Sequence, residues 1–362
     1  MSLSRDSRPK RHAGSTCSRF DGRKAFGVLA ATNRRAWAVS ATLWQCCQCD
    51  RQTSATAGTV FQDTRKPLKT WFRAMWYVTS QKNGASALGL QRVLGLRSYQ
   101  TSWAWLHKLR RAMVRPGRDH LSGWVEVDET YVGGWEEGMK GRRRGEKSLI
   151  VIAAQAEGNV IGRIRMRVIP DASAASLHPF IEASVEPGST VHTDGWQGYA
   201  GIDKKGYHRE ISLIRGRPQE ASKLLPRVHR VAALLKRWLL GTHQGAVEPQ
   251  HLAYYLDEFT FRFNRRNSKS RGKLFYRLMQ QAVATGPTTY AAMVAPKRSM
   301  KPTQTCRGYL SQVESPQTYN AELTGPVYRL ILLSVSSSIK PHLFHLGQIR
   351  RGRDRGHCRV PV

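Results

Sequence analysis

The sequence predicts an α/β core on a mixed five-stranded sheet, preceded by a small helical region. Three observations predict it. Beyond Pro116-Gly117, short β-branched runs and amphipathic stretches follow one another as strand, strand, strand, helix, strand, then helices. Two of the strands, ending Val127-Asp128 and Thr193-Asp194, close on a carboxylate inside an apolar run. From Pro67, Trp71, Met75 and Val78 recur at near-helical spacing.

Taken in order, residues 1–40 are rich in Arg and Ser without a sustained period, and are expected to be disordered. Residues 41–66 hold a cysteine cluster and a Gly/Thr-rich stretch. Residues 67–116 carry a two-helix signal. Ala85–Leu94 is apolar at Ala87, Leu88, Leu90, Val93 and Leu94, Gly95 breaks it, and Ser98 is suited to cap a second helix through Trp103, Leu106, Leu109 and Met113. Lys108, Arg110 and Arg111 near its end suit phosphate contacts, as in a helix-turn-helix DNA-binding region.

Within residues 120–290 the expected strands are Trp124–Tyr131, Ser148–Gln155, Val160–Ile169, Thr190–Thr193 and Glu210–Ile214. Asp171 is placed to cap a helix running to about Val185. Leu224–Leu240, Pro249–Arg265 and Lys273–Ala284 read as helices. This order matches an RNase H-like fold, whose first and fourth strands lie side by side and so bring Asp128 to Asp194. Residues 296–362 lose periodicity and end in a basic run, a tail expected to be disordered.

Charge fixes the class of partner. Lys+Arg number 58 against 25 Asp+Glu, a formal net charge of +33. Such an excess repels itself when compact and calls for a polyanion, most simply nucleic acid. The most apolar stretch, Val327–Ser338, includes Arg329 and falls well short of the roughly 20 residues a membrane span needs. With no apolar leader at the N-terminus, a cytoplasmic, nucleoid-associated protein is expected. Six clustered cysteines read as reduced thiols rather than a disulfide framework.

A carboxylate ending a buried strand is costly unless a cation compensates it. Asp128 and Asp194 each do so, with Gly133-Gly134 and Gly195 close behind. His229, on the helix that follows, is read as a third metal ligand, a proton shuttle or a phosphate-orienting group. Lys236 lies two helical turns further on the same face and suits a phosphate. Such a trio is how a protein holds two Mg²⁺ or Mn²⁺ ions about 3.5–4 Å apart for in-line displacement at phosphorus. Arg262, Arg265, Arg266, Lys269, Arg271 and Lys273 read as a phosphate track, and Arg237 joins Lys236 as a DNA contact. Cys46 and Cys49 form one Cys-x-x-Cys pair, half of a structural zinc site, so zinc binding is doubtful.

Ordered motifs from about Leu43 to Val283 resemble the ISXO-like transposases of bacterial insertion sequences, a DDE group with an N-terminal zinc ribbon. They include Trp44-Gln45-Cys46, Thr56-Ala57-Gly58-Thr59, Leu94-Gly95-Leu96, Val127-Asp128-Glu129-Thr130-Tyr131, His192-Thr193-Asp194-Gly195, Leu235-Lys236-Arg237-Trp238, Gly241-Thr242-His243 and Tyr255-Leu256-Asp257-Glu258-Phe259. The resemblance implies metal-dependent strand cleavage and strand transfer on double-stranded DNA, at element ends and target, by a homo-oligomer. Its acidic triad and following lysine fall on Asp128, Asp194, His229 and Lys236; many members carry Glu where this chain has His229. The alternatives are an inactive DNA-binding relic or self-repressor, and another RNase H-like nuclease.

Overall fold

Side chains of a strand alternate between the two faces of its sheet, and that alternation builds this molecule. The computed structural model describes residues 36–40, 43–46, 52–54, 56–115, 117–133, 147–212, 221–245 and 247–294. Strands β1 (Ala36–Ser40), β2 (Leu43–Cys46) and β3 (Gln52–Ser54) form an antiparallel sheet in the order β1-β2-β3. This sheet belongs to a different compact unit from Thr56–Thr305. Residues 36–40, expected to be disordered, are thus a strand, its backbone hydrogen bonds satisfied by β2. Cys46 ends β2. Cys49, residues 1–35 and the expected tail 296–362 lie outside the described residues.

The second unit begins with residues grouped by sequence with the cysteines. They pack on helices instead: Val60 N donates to Ala282 O at 3.3 Å, and the Phe61 ring meets Trp71 edge-on at 5.3 Å. Helix α1 (Leu68–Ser80) precedes the expected pair, α2 (Ala87–Leu94) and α3 (Tyr99–Ala112). Ser86 caps α2 by accepting from Gly89 N at 3.1 Å. Gly95 ends it at φ 63°, where a Cβ is penalised. Ser98 does stand at the α3 N-cap position, without a side-chain cap bond. Trp71 and Trp105 stack at 3.8 Å, with Leu90, Leu106 and Leu109 buried around them.

The central sheet comprises β4 (Trp124–Val132), β5 (Ser148–Glu157), β6 (Val160–Ile169), β7 (Thr190–Asp194) and β8 (His208–Ser212). Its order is β6-β5-β4-β7-β8, antiparallel through β6, β5 and β4 and parallel through β4, β7 and β8. The first and fourth strands of this sheet are therefore neighbours, the RNase H-like arrangement. Odd-numbered β4 and β5 residues (Val125, Val127, Val151, Ala153) pack with Leu177, Phe180 and Ile181 of α4 (Ala174–Glu182). Even-numbered Ile150, Ile152 and Ile164 pack instead with Val228, Val231 and Leu235 of α6 (Pro226–His243) and Leu256 of α7 (Leu252–Phe263). Burying such a side chain contributes about 1.5–3 kcal/mol, so a one-residue slip of register would forfeit a whole face.

Three boundaries differ from expectation for local reasons. The α4 helix starts after Ser173, because Asp171 turns the chain by accepting from Ser173 N and Ser176 Oγ at 2.9 and 2.8 Å. The expected helix Leu224–Leu240 is two, α5 (Ala221–Leu224) and α6. Pro226 disfavours helical backbone at Leu225, which sits at φ −123°, ψ 61°. The last strand is His208–Ser212, set by pairing His208 with Thr190. Helices α8 (Arg271–Ala284) and α9 (Tyr290–Val294) complete the described residues.

The helical region is tied directly to the core. Arg262 donates to Val78 O and Gln81 O at the end of α1, both at 2.8 Å. Trp238 Nε1 and Thr242 Oγ1 both donate to Asn83 O, at 3.0 and 2.5 Å. Gly84 follows at φ 94°, and a Cβ there would lie 2.9 Å from Trp238 Nε1. Only glycine fits that approach.

Candidate active site

The pairing of β4 with β7 sets the site. Val125 lies opposite Val191 and Glu126 opposite His192. Carried two residues further, that register sets Asp128 against Asp194, both on the face that α6 covers. Asp128 Oδ1 accepts from Glu129 N at 2.8 Å, and Asp194 Oδ1 from Trp196 N at 3.0 Å. Each carboxylate is thereby oriented by backbone at the end of its strand. Trp196 is held in turn by its Nε1 bond to Ala172 O at 2.7 Å. Gly198 is required beside it, since a Cβ would lie 2.3 Å from Ala172 O.

Helix α6 brings His229 and Lys236 to the same face. His229 Nε2 stands 3.7 Å from Asp128 Oδ2, beyond a hydrogen bond, and has no hydrogen-bond partner among the described residues. Burial lowers the His229 pKa; Glu126 and Asp194 oppose the shift while Lys236 adds to it, so the ring is neutral near pH 7. Lys236 is exposed, and its pKa is lowered by burial of its stem, with Asp128 opposing and Lys147 adding. The four residues singled out in the sequence thus converge on one end of the sheet.

Two neighbours escape the sequence reading. Glu126 is buried and accepts from Arg227 N, Val228 N and Arg227 Nη1 at 2.7, 2.9 and 2.9 Å. It caps α6 across the sheet and so sets where His229 stands. Its signal was the alternation Glu126, x, Asp128, which puts both acids on one face. Tyr199 is fully buried, and burial together with Glu129, Asp128 and Asp194 raises its pKa well above the usual phenol range. Its hydroxyl therefore remains a neutral donor toward the acidic cluster.

The donors fit a divalent cation in kind: two carboxylates and an imidazole nitrogen without a partner. Among the described residues no three His, Cys, Asp or Glu side chains are gathered tightly enough to cage an ion alone. Mg²⁺ does not demand that, because it keeps several waters and uses one or two carboxylates plus substrate phosphate. Zinc is a separate matter, since Cys49 lies outside the described residues.

The cations expected to meet DNA divide sharply. Arg110 is buried, with Nε 2.8 Å from Glu258 Oε2 and its guanidinium 4.0 Å over the Tyr255 ring. It cannot reach a phosphate, and this corrects the sequence reading. Arg262 is spent similarly on Glu258 Oε1 at 2.7 Å and on the end of α1. Arg265 covers Phe261 at 4.2 Å, and Arg266 bonds the carbonyls of Ile161 and Gly162. Lys108 is half-buried, whereas Arg111, Lys236, Arg237, Lys269, Arg271 and Lys273 are exposed, as is Arg266 despite its carbonyl contacts. The track is thus shorter than the sequence suggested, because Arg110 and Arg262 are counter-charges to Glu258 and Arg265 covers an aromatic ring.

Two acids on adjacent strands of the sheet thus lie under a helix that bears a third polar residue, His229. Residues 120–264 match the ISXO2-like transposase domain. Over 243 residues the chain is 28% identical to an uncharacterized protein in transposable element ISH50 of Halobacterium salinarum, covering 60% of this chain and 76% of that protein. Solved structures of the Mos1 strand transfer complex (14% identity, 63% of this chain, 82% of the other, TM-score 0.25) and the Mos1 paired-end complex (13%, 62%, 82%, 0.24) are more distant. The likeness to a transposase domain thus covers residues 120–264, from the central sheet through α7. Among the described residues no helix is long and apolar enough to cross a membrane.

Proposed function

We propose that this transposase cleaves double-stranded DNA at the ends of its element and joins the freed 3′ end to a target, using divalent metal. The observation that carries this is the parallel pairing of β4 with β7, in a register through Glu126 and His192 that leads on to Asp128 and Asp194, with His229 Nε2 at 3.7 Å from Asp128. Asp128, Asp194 and His229 would hold Mg²⁺ or Mn²⁺, which supply Lewis-acid activation of the attacking oxygen and neutralise the leaving one. His229 is kept neutral by burial and so offers a lone pair rather than a proton. Lys236 engages the phosphate beside the broken bond. In the first step water attacks phosphorus and a 3′-hydroxyl leaves; in the second that hydroxyl attacks a target phosphodiester and displaces another 3′ oxygen. Exposed Arg111, Arg237, Lys269, Arg271 and Lys273 hold the backbone, and cutting two ends calls for at least two copies.

The test is strand cleavage and transfer on duplexes carrying the element's own terminal repeats. Asp128→Ala and Asp194→Ala abolish both reactions, chelator does the same, and added Mg²⁺ or Mn²⁺ restores the unmutated protein. His229→Glu retains activity while His229→Ala loses it. Cleavage that survives either aspartate substitution refutes the site. Cleavage without joining assigns another nuclease activity instead.

A further inference from the structure

A cavity of about 410 Å³ lies on the face of the sheet that carries the aspartates, lined by Trp124, Glu126, His192, Lys223 and Arg227 among others. Three of its walls stand two positions before a residue of the proposed active site: Glu126 before Asp128, His192 before Asp194, and Arg227 before His229. On a strand two residues advance about 6.6–6.8 Å. That is about the phosphate-to-phosphate step of an extended nucleic-acid strand. The cavity therefore lies roughly one nucleotide from the carboxylates, on the same face of the sheet.

Its chemistry is that of a pocket for a planar heterocycle. Trp124 is partly exposed and forms an aromatic wall, meeting the His192 ring edge-on at 5.2 Å. His192 is 7% exposed and its Nε2 is engaged with Ser212 Oγ at 2.8 Å. Its Nδ1 is buried without a hydrogen-bond partner among the described residues. A buried ring nitrogen left unpaired is destabilising, and a ligand hydrogen bond would relieve that. The one free carboxylate in the wall, Glu126, is consumed by Arg227 and the start of α6. Lys223 is exposed at the rim and suits the accompanying phosphate.

We propose that this cavity receives one unstacked DNA base adjacent to the scissile phosphate, sandwiched by Trp124 and hydrogen-bonded by His192 Nδ1. The proposal rests on the transposase reading above. Extruding a base removes it from the stack of the duplex, and stacking on an aromatic side chain restores part of what is lost. The gain would be a strand end pinned beside Asp128 and Asp194, with one position of the terminal repeat read by the protein.

The test uses the full chain, Ca²⁺ in place of Mg²⁺, and terminal-repeat duplexes carrying 2-aminopurine at each nucleotide flanking the cleavage point in turn. At saturating protein one position within about one nucleotide of the scissile phosphate brightens, as expected of an extruded base. Trp124→Ala removes the signal and weakens binding roughly tenfold, as loss of one stacked base implies, and Trp124→Phe restores it. Trp76→Ala, at an exposed tryptophan on α1, keeps the signal. Brightening at no position while the duplex binds overturns the proposal and leaves the transposase reading intact, as does a signal retained by Trp124→Ala. Displacement of the signal by millimolar free deoxynucleoside monophosphates, with the duplex still bound, assigns the cavity to a small nucleotide and overturns it too. Failure to bind the duplex at all removes both readings.

Discussion

Replacing Glu258 with Gln would neutralise the carboxylate that joins the helical region to the catalytic core. Glu258 is fully buried and accepts from Arg110 Nε and Arg262 Nε, both at 2.8 Å. Burial would push its pKa up; Arg262 and Arg110 outweigh that and bring it from 4.5 to about 2. The difference corresponds to about 3 kcal/mol. Breaking a buried pair by removing one partner costs about 3–5 kcal/mol by independent measure, because the remaining charge stays desolvated. The two routes agree. In a unit of this size 1 kcal/mol moves Tm by about 2–4 °C, so Glu258→Gln should lower Tm by roughly 10 °C. The pH sign follows from the depressed carboxyl: the contribution is complete above about 4.5 and is lost as pH falls from there through about 2. Thermal melts of both proteins at pH 7 and 4 read this out, and the gap between them should narrow at the lower pH. A Tm within about 3 °C of the unmutated protein at pH 7 would mean that Arg110 and Arg262 are balanced elsewhere, and the account of the junction would fail.

The division of the arginines predicts opposite behaviour on DNA. Lys273→Gln should flatten the dependence of log K on log salt by about 1 without changing Tm. Arg110→Gln should lower Tm and leave that slope alone; equal slope changes would contradict the assignment. Glu126→Gln should suppress cleavage more than it lowers stability, since it frees the start of α6 and moves His229, and cleavage at the unmutated rate would show the cap to be irrelevant. His107 is fully buried, with burial first and Arg110 next lowering its pKa to about 2. The unfolded chain takes up this proton near pH 6.5 and the folded one only near 2, so stability falls as pH drops below 6.5, by about 1.4 kcal/mol per unit. His107→Phe should flatten melts between pH 6.5 and 5, and an unchanged profile would refute this origin.

What the sequence discloses and what it hides follow from the range of each interaction. The strands of the core announce themselves because alternation is local, so β6 and the two aspartate-bearing strands lie close to where periodicity puts them. Asp128 and Asp194 meet because the parallel pairing of β4 with β7 is a consequence of topology, which element order implies. The break at Pro226 was visible in principle, since proline constrains the residue before it. The partners of Glu258, by contrast, lie 148 positions away at Arg110 and four away at Arg262. Glu126 meets the start of α6 across 101 positions. Nothing in composition distinguishes an arginine that neutralises a buried glutamate from one that faces a phosphate. The +33 excess suggests a polyanion partner, but it counts cations such as Arg110 and Arg262 that are spent on Glu258. Those same buried pairs hold the helical region against the sheet that carries the aspartates. Part of the basic residue content is therefore structural, fixing the helical region against the sheet that carries Asp128 and Asp194.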